Sequence, residues 1–261
     1  MGRRKELTMN YYPGSLRGVV KGGRCQLITL NGYNELRGNL KCKDFHLHGS
    51  LVCATKVTPR LTCSKMFLDG SLNLPEIICS TAYVSGTSEI TGDVVIAQEF
   101  IQNGRFSGHG KLTANSMRVY DRFSHDGKLF ANQFAAHACL SVGPIKAGNV
   151  LIEFSDRSRC AEITAGSVIV QRAPLPLIAR LFYAEQASRN SFLTVTNGIK
   201  ADYVELEYVT TDSVTGLDVN IGPGCIINEV RYRDHISISD QAWVGHYAPI
   251  DETVNADAEN K

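Results

Sequence analysis

Eight cysteines and seven histidines are the side chains in this chain best suited to bind a metal or attack a substrate, so their spacing is read first. A structural zinc site draws on paired ligands such as Cys-x-x-Cys. No such pair occurs among Cys25, Cys42, Cys53, Cys63, Cys79, Cys139, Cys160 and Cys225. His46-x-His48 would place two imidazoles on one side of an extended strand, with no third ligand in view. His109 and His125 lie about one repeat apart, a spacing that allows stacking on a surface but reads more simply as a solvated face. Asp121, Asp126, Glu153 and Asp156 do not form the acidic cluster of a polysaccharide-lyase solenoid. There is no Walker-type phosphate loop and no Gly-x-Ser-x-Gly nucleophile elbow. The expectation is a chain with no catalytic set, no cofactor and no metal site.

The cysteines belong instead to a repeat. Eight stretches read apolar, any, small, any, any, apolar, any, apolar, beginning with Leu40-x-Cys42-x-x-Phe45-x-Leu47 and ending with Ile199-x-Ala201-x-x-Val204-x-Leu206. Cys42, Cys63 and Cys79 fill the small position that Ala114, Ala131, Ala147, Ala165 and Ala201 fill elsewhere, which makes them buried thiols of a column. A poorer copy runs from Val95 through Ala97 to Phe100, with polar Gln102 last. Arg105-Phe106-Ser107-x-x-Gly110-Lys111-Leu112 returns almost literally as Arg122-Phe123-Ser124-x-x-Gly127-Lys128-Leu129. A short fixed period signals a repeat architecture.

The pattern does not fit a helix, because offsets 0, 2, 5 and 7 fall at about 0°, 200°, 140° and 340° around the axis. In a strand, offsets 0 and 2 share a face, and so do 5 and 7. The parity flips between them, so the backbone must turn a corner to keep both pairs inward. This predicts an all-β, single-stranded parallel β-helix with about 16–18 residues per coil and coils stacked about 4.8 Å apart. Roughly a dozen coils would give a rod about 55–60 Å long. Gly49, Gly70, Gly86 and Gly104 mark corners that want a positive φ. Antiparallel hairpins are the competing reading, but Asn31-Gly32, Asn103-Gly104 and Asn197-Gly198 follow the repeat period.

The expected organisation is a disordered basic tail over 1–22, solenoid over 23–170, an inserted loop or short helix over 171–198, solenoid again over 199–250, and a disordered tail over 251–261. The insertion would place Leu177, Ile178, Leu181 and Phe182 on one side, as packing against the solenoid or as a partner or membrane contact. A net charge of +1 gives no electrostatic case for nucleic acid. No apolar run reaches the ~18–20 residues of a membrane span and the basic N-terminus lacks an apolar signal core, so a cytoplasmic location is the default.

Two resemblances bear on function. Ile221-Gly222-Pro223-Gly224 resembles the hexapeptide repeat of left-handed β-helix acyltransferases, over one or two hexapeptides only. Gly38-Asn39-Leu40-Lys41-Cys42-Lys43-Asp44-Phe45-His46-Leu47-His48-Gly49 resembles the coil of bactofilins, the bacterial polymer-forming cytoskeletal proteins. Ala201-Asp202-Tyr203-Val204-Glu205-Leu206-Glu207-Tyr208, with Val214-Thr215-Gly216 and Val219–Cys225, is similar to a longer, two-part branch of that family. The likeness spans about residues 24–245. It implies a right-handed β-helix without catalytic residues, self-assembling end to end without nucleotide, alone or with a paralogue. It further implies scaffolding in cell shape, envelope organisation or motility, often at the inner face of the membrane. The sequence departs from the common form in its length, its insertion and its lack of an apolar N-terminal membrane-targeting peptide.

End coils of a solenoid expose unpaired strand groups and apolar side chains unless capped. No strongly charged cap lies next to Ile28 and Leu30, or beyond Ile236, Ile238 and Trp243, so these residues are the expected assembly surface. The alternatives are a trimeric acyltransferase with a histidine between subunits and a capped interaction scaffold that does not polymerise.

Overall fold

A computed structural model describes residues 18–54, 58–154, 156–173 and 191–250. All sixteen strands join one sheet of parallel neighbours, and no helix occurs among the described residues. The chain winds as a β-solenoid. Residues 16 to 18 apart sit side by side on successive coils through most of its length.

A coil in the middle of the rod buries three pairs of side chains. In the coil that opens at Leu112 these are Leu112 with Ala114, Met117 with Val119, and Phe123 with His125. The first two pairs are those of the sequence pattern. The third completes the coil. In-register pairing then stacks like on like: Leu112, Leu129, Ile145, Ile163, Ile199, Val214 and Val230 form one column of the core. Phe106 and Phe123 stack with centroids 5.0 Å apart, and Phe100 meets Phe106 edge-on at 5.7 Å. Such ring contacts add about 0.5–1.5 kcal/mol to plain burial.

The corners show why the small position is small. The N–H groups of Lys43 and Asp44 both donate to the Gln26 carbonyl, and those of Ser64 and Lys65 both donate to the Lys43 carbonyl. One carbonyl takes two donors, the chain bends, and the side chain just before the bend is squeezed between coils. The expected corner glycines have φ of 128° at Gly49, 138° at Gly70, 64° at Gly86 and 104° at Gly104. At Gly70 a side chain would also strike the backbone of Gly49 in the previous coil.

Three sequence expectations change. Val94 and Ile96 face inward while Val95 is 43% exposed, so the weak copy starts one residue earlier than its spelling suggests. An irregularity between Ile96 and Glu99 absorbs the extra residue. Gln102 is fully buried in the place of an aliphatic residue, with its amide donating to the Gly104 carbonyl at 2.7 Å and accepting from the Tyr120 N–H at 3.1 Å. The solenoid also begins earlier than residue 23, because the strand Gly18–Arg24 pairs with residues 34–41.

The insertion is narrower than 171–198. The strand Ile163–Arg172 runs past its expected start, and Leu193–Val195 is already back in the sheet beside Ser158–Cys160. Ile163 pairs directly with Ile199, so the ladder closes as if nothing intervened. Arg172 Nη2 donates to the Ser191 carbonyl at 3.2 Å, which holds the two exits together. Leu177, Ile178, Leu181 and Phe182 lie outside the described residues.

Candidate assembly surface

The C-terminal end is built by the strands Ile226–Ile238 and Trp243–Pro249. The first pairs along its inner side from Thr210↔Ile226 to Ile221↔Ile238, with one irregularity between Gly216 and Asp218. On its outer side it is covered only from Ile226 to Tyr232. Among the described residues nothing pairs with the outer edge of Trp243–Pro249 or with that of 234–238. This is a row of backbone donors and acceptors of the kind that templates another strand.

The side chains facing along the rod axis are apolar. Ile236 and Ile238 continue the columns of Val219 and Ile221, and both are half-buried and packed on the core. Val244 lies over Ile227 in the same way. Tyr247 lies over fully buried Val230, yet is itself 55% exposed, and no further coil covers it among the described residues. Tyr247 was not among the residues expected from sequence. The period would have found it, since it stands seventeen residues after Val230 and heads the same column. Trp243 behaves differently from its expected role. It pairs with Ile226 on the outer wall, where the two are 55% and 50% exposed, so it borders the end layer and is not part of it.

The N-terminal end does not match. Among the described residues no strand pairs with the outer edge of 27–33, yet Ile28 and Leu30 are only 2% and 1% exposed, and Val20 2%. Ile28 and Leu30, expected at the assembly surface, are therefore core residues, and at this end it is Val19 that is exposed, at 39%.

Charges around the C-terminal end are mostly paired. Arg231 reaches Glu229 at 2.8 Å, and Arg233 holds Asp234 through two contacts of 3.0 and 3.1 Å. The Arg233 guanidinium holds the Asp234 carboxyl below its ordinary range. A surface with paired charges at its rim and apolar groups at its centre suits burial against another protein surface.

The other candidate residues do not converge. His46 tilts against Phe67 at 4.6 Å, and His48 sits 3.7 Å from Asp69. His109 and His125 do not stack: His109 meets Asp126 at 2.7 Å, while His125 points into the core beside Gly108 and is 3% exposed. Neither ring nitrogen of His125 has a well-formed hydrogen bond, and burial pushes its pKa down. The segment around Gly222-Pro223-Gly224 is one tight corner between rungs, with the Pro223 carbonyl accepting from the Tyr208 N–H at 2.9 Å. Among the described residues no three His, Cys, Asp or Glu side chains gather as metal ligands.

Comparison with family models, with characterised proteins and with solved structures returns no match. The resemblance to bactofilins thus rests on the sequence stretches alone.

Proposed function

We propose that this protein is a non-enzymatic structural rod that associates with a second copy of itself through its C-terminal end. The observation that carries the reading is the open coil there: an unpaired strand edge around Ile236, Ile238, Val244 and half-exposed Tyr247. Burying that layer removes apolar area from water at about 25 cal/mol per Å² and satisfies a row of backbone groups at once. The covered N-terminal end argues against unlimited head-to-tail growth, which needs two complementary open ends. A two-fold pairing of C-terminal ends uses only the surface that is open, and brings the facing strands together antiparallel, a pairing at least as stable as parallel. A scaffold in cell architecture, as the bactofilin resemblance implies, is the role this rod would serve.

Sedimentation velocity over a range of concentrations tests the proposal. A concentration-dependent dimer that becomes monomeric in Tyr247→Arg with an unchanged β circular dichroism spectrum is the expected result. A wild-type chain that stays monomeric at high micromolar concentration would remove the basis for the reading.

A further inference from the structure

One corner of the first four coils carries four thiols in a line. Cys25 and Cys42 follow the paired residues Arg24 and Lys41, and Cys42 donates its N–H to the Thr62 carbonyl, just before Cys63. The Cys25 thiol is within interaction range of Cys42, and the Cys63 thiol of both Cys42 and Cys79. Cys25 is half-buried, and the other three are 2–6% exposed.

Two further features surround the outer pair. A notch of about 490 Å³ opens at Cys25 and Cys42, with Arg24, Lys41, Lys43 and Ser64 on its rim. None of those three basic side chains joins an ion pair among the described residues. Burial and the neighbouring Cys42 push the Cys25 thiol up, so the apo site keeps its proton, and three basic side chains stand near enough to offset negative charge once an ion displaces it.

We propose that Cys25 and Cys42 form a two-coordinate site for a soft monovalent d10 cation of the Cu(I) type. Thiolates select such ions. With a metal–sulfur bond of about 2.3 Å, a linear S–M–S unit spans about 4.6 Å. Neighbouring coils stack at about 4.8 Å, so equivalent positions on adjacent coils, such as those of Cys25 and Cys42, are spaced close to that span. A disulfide needs Cβ atoms about 3.5–4.5 Å apart and fits the same column less well. Zinc wants four tetrahedral ligands, and a straight column cannot wrap one ion. Binding releases both thiol protons and leaves a bis-thiolate complex with one net negative charge, which Arg24, Lys41 and Lys43 offset. The notch provides the entry path.

The full-length protein, reduced and kept anaerobic, is titrated with Cu(I) in competition with a chromogenic Cu(I) chelator. One tight equivalent is expected. Its affinity should rise up to about a hundredfold per pH unit below the thiol pKa, because two protons leave. Cys25→Ala and Cys42→Ala should each weaken it at least a hundredfold, while Cys225→Ala leaves it unchanged. These variants will fold, because alanine already fills this corner at Ala131, Ala147, Ala165 and Ala201. The double variant Lys41→Glu/Lys43→Glu should weaken binding about tenfold. The site is ruled out if the chelator keeps all the Cu(I), if Cys25→Ala/Cys42→Ala competes as well as wild type, or if Zn(II) binds the wild type more tightly than Cu(I).

Discussion

The two ends of the rod are made by the same repeat and finish differently. At the N-terminal end Val20, Ile28 and Leu30 are as buried as any residue in the middle. At the C-terminal end Ile236, Ile238 and Val244 keep only part of their cover, and Tyr247 is more than half exposed. A column of aliphatic residues has no intrinsic stop, so the difference comes from what lies over its last member. The contrast turns a symmetric expectation, two sticky ends and a growing filament, into a rod whose two ends differ in how much apolar surface they leave open.

That contrast predicts opposite outcomes for the same substitution. Leu30→Arg puts an unpaired charge into a covered layer and should cost about 3–5 kcal/mol of stability, read as a fall in the urea midpoint. Ile238→Arg places the charge at an uncovered edge. Nearest-neighbour energetics confine its effect to the last coils, so the midpoint should hardly move while the sedimentation coefficient falls to that of a monomer. If Ile238→Arg instead destabilises as much as Leu30→Arg, the two ends are equally closed.

The next effect lies midway between the ends. His125 is buried without a well-formed hydrogen bond, and its pKa is lowered chiefly by burial, with the Gly110 backbone, Asp126 and His109 also acting on it. The folded state then binds fewer protons than the unfolded one below the ordinary histidine pKa of about 6.5. The native state is favoured above that pH and loses stability as pH falls through it toward the depressed folded value. His125→Leu should raise stability by about 1 kcal/mol at neutral pH and remove much of the loss between pH 7 and 5, checked by thermal melts at both. An equal acid shift in the variant would place the sensitivity elsewhere.

A smaller change is expected at the insertion. Because Arg172 meets Ser191 and Ile163 pairs with Ile199, replacing 174–190 with a short Gly/Ser linker should shift the melting temperature by only a few degrees, since loop entropy grows slowly with length. Unfolding of that variant would show that the segment completes the core. The smallest effect concerns the thiols. Cys63→Ala should cost no more than about 1 kcal/mol as a small cavity, and a thiol reagent should modify half-buried Cys53 and Cys139 well before Cys42, Cys63 and Cys79.

Much of this fold could be read from sequence because parity is a hard constraint. Leu40, Cys42, Phe45 and Leu47 share an inside only if the chain turns between 42 and 45, and every such stretch repeats the demand. The third side of each coil was harder to read. Its spacing from the other two varies, and its inward residues include Ser88, Gly108, His125 and Thr211, which carry no apolar signal. The extra residue near Ala97 was hidden because Val95 is apolar yet faces water. Which end is open could not be read at all. Ile28 and Ile238 look alike in sequence, and only the packing around them distinguishes a covered layer from an uncovered one.

Distance measurement between two copies tests the one-ended account most directly. Spin labels are placed separately at exposed Gln241, beside the C-terminal coil, and at exposed Lys21, in the first strand, and the protein is measured at a concentration where it is dimeric. Pairing of C-terminal ends predicts a short, narrow distance for the label at 241. It predicts no measurable coupling at 21, because two rods in line separate those sites by roughly 100 Å or more at about 4.8 Å per coil. A short distance at 21, or equal coupling at both positions, would contradict it.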